Sequence, residues 1–255
     1  MQRVVRAVTL AGLLVGGADA HVSPGVTDNN RYLKLSPAAD RVRLAYTVFY
    51  GKEPGAALRP SLDTDASGQI SDVEGQAFAG TLADEVARAL EVTIDGRTIP
   101  VWWATAAVGM GSPETKAGAF SIDFVAWLCL PSVRGTHTVL VRDRFRIPNP
   151  GETEIKVEDA LGITIGKTTV GPTASGEHEY KFLGPGGPLS DDGLALTFTA
   201  SENAPLGDST CASAAGTGGR FGLPPVIIVG VAAVIGALLA FFIARRISRG
   251  TKRTP

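Results

Sequence analysis

From Arg41 to Tyr50 the chain alternates, with Val42, Leu44, Tyr46 and Val48 on one side and Arg41, Arg43 and Thr47 on the other. A period of two predicts a strand with one face buried. The period then changes. Val73, Ala77, Phe78, Leu82, Val86 and Leu90 recur at three- and four-residue spacings, which predicts an amphipathic helix of about four to five turns. Residues 91–94 and 98–101 flank Asp95-Gly96, a pair that tolerates positive φ and therefore predicts a hairpin. Phe120, Ile122, Phe124, Leu128 and Leu130 mark the next strand, and further strands are expected at 136–142, 154–157, 163–170, 178–183 and 194–200. Seven or eight short strands so spaced predict a mainly β fold, a β-sandwich-like domain with a helix inserted between early strands.

The twelve residues before that helix, Asp63-Thr64-Asp65-Ala66-Ser67-Gly68-Gln69-Ile70-Ser71-Asp72-Val73-Glu74, fit an EF-hand calcium loop. Asp63, Asp65 and Ser67 supply side-chain oxygens at positions 1, 3 and 5, and Gly68 at 6 permits the sharp turn. The carbonyl of Gln69 falls at 7, Ser71 at 9 can hold a water, and Glu74 at 12 can bind through both oxygens. Ile70 at 8 is the apolar residue that ties such a loop to its surroundings. The expected ligands for Ca²⁺ are therefore Asp63, Asp65, Ser67, Gln69 and Glu74. The entering side, residues 53–60, holds Pro54, Gly55 and Pro60 and predicts a helix of at most two turns.

Both ends carry targeting signals. Arg3 and Arg6, an apolar stretch over 7–15 and Ala18-Asp19-Ala20 read as a signal peptide over 1–20, with the mature chain starting at His21. Residues 226–244 hold no charge over nineteen positions, about 28 Å as helix, which predicts a transmembrane helix within 223–244. Arg245, Arg246, Arg249, Lys252 and Arg253 follow, against Arg220 alone on the other flank. The positive-inside rule then places a basic tail, 245–255, in the cytoplasm of a bacterial cell and residues 21 to about 222 outside. Ala232, Gly236 and Ala240 would allow close contact with another membrane protein. Residues 201–222, rich in Gly, Ala, Ser and Thr, read as a flexible stalk beyond an exported domain over 21–200.

The formal net charge is −1, and the basic tail makes the outer part acidic, which argues against nucleic acid and suits cations. The two cysteines, Cys129 and Cys211, can pair in an exported chain or remain as thiols; spacing does not decide.

Asn29-Asn30-Arg31-Tyr32 leading to Asp40-Arg41-Val42-Arg43-Leu44-Ala45-Tyr46, the Asp63 loop, and Gly135-Thr136-His137-Thr138-Val139 with Arg142-Asp143 resemble an exported region of bacterial nickel/cobalt-transporter-like proteins. The likeness covers residues 29–157. It implies an accessory or sensory role beside a membrane permease, because one span cannot form a transporter.

A second metal chemistry is open to His21, whose amino group and ring would chelate copper once the signal is removed, with His137 or His178 as a further ligand. Catalysis finds no comparable pattern: there is no Gly-x-Ser-x-Gly, no His-Glu-x-x-His and no Cys/His pair at a recognisable spacing. Asp191-Asp192 and Glu177-His178-Glu179 read as solvated turns, Trp102-Trp103 as core at a strand end, and residues 184–188 as a turn. The expectation is a protein that binds and does not catalyse.

Overall fold

The computed structural model describes residues 26–169, 178–183, 189–207 and 211. The expected signal peptide, His21, the expected membrane span and the basic tail lie outside the described residues. Eleven strands and two helices follow in the order β1 (Asn29–Pro37), β2 (Arg41–Tyr50), α1 (Lys52–Leu62), α2 (Asp72–Ala89), β3 (Leu90–Ile94), β4 (Arg97–Ile99), β5 (Trp103–Gly109), β6 (Phe120–Cys129), β7 (Gly135–Asp143), β8 (Pro150–Val157), β9 (Ile163–Thr168), β10 (His178–Leu183) and β11 (Leu194–Ala200). They form two sheets, β10-β8-β1-β2-β6-β5 and β4-β3-β7-β11-β9. The fold is mainly β.

One hydrophobic core joins them. Leu33, Leu35, Leu44, Tyr46, Ile122 and Phe124 enter it from the first sheet, and Val92, Val139, Val141, Leu196 and Phe198 from the second. The alternation read in β2 and β6 is the burial pattern observed. β1 has no such legible alternation, because its inward row begins with Asn29 and Arg31, an amide and a charge that are each 1% exposed, before Leu33 and Leu35. β1 nevertheless occupies the centre of its sheet, antiparallel to β2 and parallel to β8.

The two helices are inserted between β2 and β3. α1 has eleven residues, not the two turns expected. Pro54 sits in the first turn, where an amide N–H has no helical partner to lose, and Pro60 falls so near the C-terminus that the helix ends soon after it. Gly55 lets α1 approach another segment closely: a Cβ there would lie 2.7 Å from the Gly118 carbonyl oxygen. α2 has eighteen residues, but its buried face differs from the one expected. Gly75, Ala79, Leu82, Ala83 and Val86 are buried, whereas Val73 is 79% exposed. The small residues at 75, 79 and 83 let the helix settle against β5, and this turns Val73 outward. Trp103 anchors that contact, with its indole N–H donating to the Ala83 carbonyl at 2.9 Å and its ring near those of Tyr46 and Phe124.

The sequence marks only a strand end at Trp102-Trp103, not the strand β5 that follows. Its sequence, Trp-Ala-Thr-Ala-Ala-Val-Gly, mixes strand formers with three alanines and a glycine and shows no apolar alternation, and pairing with β6 makes it a strand.

Cys129 and Cys211 form a disulfide that closes a separation of 82 residues. The described residues after β11 stay on the domain. Ala39 donates its N–H to the Pro205 carbonyl at 3.3 Å, Gly207 donates to Asp40 Oδ1 at 3.0 Å, and Ala204 is buried. The described part of the expected stalk, residues 201–207 and Cys211, is thus docked.

Candidate metal centre

The expected calcium loop, residues 63–74, runs from the end of α1 into the first turn of α2. A capping box starts the exit helix. Ser71 is the N-cap, its hydroxyl accepts from the Glu74 N–H at 3.3 Å, and Glu74 accepts from the Ser71 N–H at 2.9 Å. Two backbone positions in the loop take the left-handed conformation, Ala66 with φ 57° and Gly68 with φ 85°. The glycine takes this geometry freely, whereas it costs a Cβ-bearing residue such as Ala66 about 1–2 kcal/mol.

This turn brings the sequence-predicted ligands together. One carboxylate oxygen from each of Asp63, Asp65 and Glu74 lies within 4.8 Å of the other two. They are the one such acidic or His/Cys group among the described residues. Ser67 and Gln69 close the same loop, the Ser67 hydroxyl donating to the Gln69 carbonyl at 2.9 Å and standing 3.4 Å from Asp63 Oδ1. All five expected ligands therefore belong to one small cluster.

Three carboxylates so close repel one another unless donors or a cation face them. Backbone amides do part of this. Ser67 N–H donates to Asp63 at 2.9 Å and to Asp65 at 3.0 Å, and Gly68 N–H donates to Asp63 at 2.8 Å. Glu74 receives the N–H and hydroxyl of Ser71 on one oxygen and those of Thr64 on the other. These bonds, the Ser71 pair foremost, lower the Glu74 carboxyl from its ordinary 4.5 to about 2. The oxygens are hard, anionic and partly exposed, a donor set that suits Ca²⁺ or Mg²⁺ rather than a thiophilic or imidazole-seeking metal.

A segment that sequence reasoning missed supports the loop from the side. Ile70 N–H donates to the Pro113 carbonyl at 2.7 Å, and both the N–H and hydroxyl of Thr115 donate to the Gly68 carbonyl, at 3.1 and 3.2 Å. Gln69 and Glu114 form a short antiparallel bridge. Nothing in the local pattern of residues 110–119 marks this role, because it depends on folding onto a loop more than forty positions away in the chain.

The other candidate groups fall elsewhere. His137 is buried, with Nδ1 2.7 Å from Asp95 Oδ2 and Nε2 2.9 Å from the Arg134 carbonyl. Both ring nitrogens thus face groups of the fold itself, and neither points to open solvent. Trp102 is 61% exposed, whereas Trp103 packs inward, so the pair splits between surface and core. Asp191 and Asp192 are exposed, as expected of a turn. Asp143, quoted above only within a family likeness, is buried between the sheets, accepting from Arg31, Tyr46 and the Phe145 N–H. Burial, together with the Asp143 charge, pushes the Tyr46 phenol well up, so Tyr46 remains a donor.

Compared with known proteins, the chain matches no family model and no curated relative.

Proposed function

We propose that this protein is an extracytoplasmic calcium-binding protein, anchored by one C-terminal membrane helix, that acts by binding and not by catalysis. The observation that carries this reading is the convergence of Asp63, Asp65 and Glu74, with Ser67 and Gln69 beside them, in the order an EF-hand loop requires. The sandwich-like β domain serves as a rigid mount, since the loop is held by α1, α2 and residues 113–115 together. The likeness over residues 29–157 and the small residues along 232–240 support a place beside a metal permease in the membrane.

A lone loop facing a calcium-rich exterior needs only modest affinity, about 10⁻⁴–10⁻³ M. Calorimetry on the full-length chain tests it. One calcium per chain is expected, with the heat lost in Glu74→Gln. No heat at millimolar Ca²⁺, or heat unchanged by that substitution, overturns the reading.

A further inference from the structure

We propose that Arg59 is a positioning residue for the calcium loop, holding the segment that braces the loop's far side. This rests on the calcium reading above and adds to it a determinant of affinity outside the twelve loop residues.

Arg59 lies in the last turn of α1, four positions before Asp63, and is fully buried. Among the described residues its guanidinium faces no carboxylate. It donates instead to five backbone carbonyls: Nε to Gly118 at 2.9 Å, Nη1 to Ser112 at 2.7 Å and Glu114 at 3.1 Å, and Nη2 to Met110 at 2.5 Å and Ala119 at 3.3 Å. Its Cζ sits 5.2 Å from the centroid of the Phe120 ring. A guanidinium has five N–H donors, and here each has a carbonyl. All five acceptors belong to residues 110–119, the link between β5 and β6.

That link also touches the calcium loop. Pro113 accepts from Ile70, and Thr115 donates to Gly68. The path runs from α1 through Arg59 into residues 110–119, from there to Gly68 and Ile70, and back to Asp63. Asp63, Asp65 and Glu74 repel one another at their observed separation. A backbone held from outside keeps them close and reduces the ordering that binding must impose. Lysine cannot substitute fully, since its three donors radiate from a single nitrogen while the carbonyls surround a plane.

The test uses the full-length chain at a temperature where circular dichroism shows each variant folded. Calorimetry gives calcium affinity, and amide hydrogen exchange without calcium reports the Ile70 and Thr115 N–H groups. Arg59→Lys is expected to weaken calcium about tenfold, the order of one charge-assisted hydrogen bond, and to speed exchange at both amides. Thr115→Val, which removes one hydroxyl bond and leaves Arg59 in place, is expected to act in the same direction by about threefold. A merely structural arginine would lower the melting temperature and leave the folded protein's affinity and those two amides unchanged. That result in Arg59→Lys overturns the proposal; if Arg59→Met is also folded, wild-type behaviour there does the same. Absence of calcium heat in the wild type fells the calcium reading instead, and the exchange measurement still decides whether Arg59 holds the loop.

Discussion

The hydroxyl of Tyr46 donates a 2.8 Å hydrogen bond to Asp143, linking β2 of one sheet to β7 of the other. Arg31 of β1 donates to the same oxygen, so an ion pair and a phenol meet inside the core. Removing one partner of a buried ion pair leaves the other charge without compensation, at a cost of about 3–5 kcal/mol. Asp143→Ala should therefore lower stability by roughly that amount, and Tyr46→Phe by about 1.5–3 kcal/mol for one bond to a charged group. Urea denaturation measures both. Near-equal midpoints for wild type and Asp143→Ala would contradict the assignment.

Calcium should stabilise without exposing new apolar surface. α2 is seated on β5 through Gly75, Ala79, Ala83 and the Trp103–Ala83 bond, which leaves the helix pair little freedom to open. At ten times the dissociation constant, binding adds about 1.4 kcal/mol. Thermal melts should rise with calcium while a hydrophobic dye stays dark. Strong dye binding on adding calcium points instead to a sensor.

Acid should loosen the loop through Glu74. Its folded-state carboxyl is depressed from 4.5 to about 2 by Ser71 and Thr64, so its contribution is complete above 4.5 and is lost as pH falls towards about 2. Carboxyl chemical shifts of Glu74 followed from pH 6 downward should show this late titration. Ser71→Ala should move the midpoint back towards the ordinary value. A Glu74 midpoint already near 4.5 in the wild type argues against the capping box.

Reducing the disulfide should release the segment after β11 and destabilise the fold. Cys129 sits at the end of β6, opposite Arg41, and Cys211 follows the docked residues 201–207. Loss of a bridge of this span is expected to cost about 2–5 kcal/mol. Cys211→Ser should melt earlier and become sensitive to protease within residues 201–207, where the wild type is expected to resist. Equal resistance would show that Pro205 and Gly207 hold the segment by themselves.

Copper should find no site of submicromolar affinity. His137 is buried with its ring nitrogens turned to Asp95 and to the Arg134 carbonyl, which makes it a poor companion to His21. Titration of the processed chain, beside His21→Ala, measures this. Tight binding that disappears in His21→Ala would establish the amino-terminal chelate.

The features legible in the sequence are those that neighbouring residues decide among themselves. The loop from Asp63 to Glu74 is twelve contiguous positions whose glycine turn, capping box and oxygen donors are all written locally, and its three carboxylates do meet; the brace from residues 113–115 is not written there. β2 and β6 announce themselves because each strand shows the core one complete apolar row. Tertiary structure decided what depends on partners far apart in the chain. Arg31 reads as a surface charge until Asp143, 112 positions away, compensates it in the interior. Val73 fits the apolar stripe of α2, yet the small residues facing β5 set the helix's rotation and leave it in solvent. Cys129 pairs with Cys211 only because the chain after β11 returns to the end of β6. Arg59 and residues 113–115 carry no local signature at all. Their hydrogen bonds exist once β5 and β6 are paired and α1 is laid beside the link that joins them, since a backbone carbonyl has no sequence identity to read.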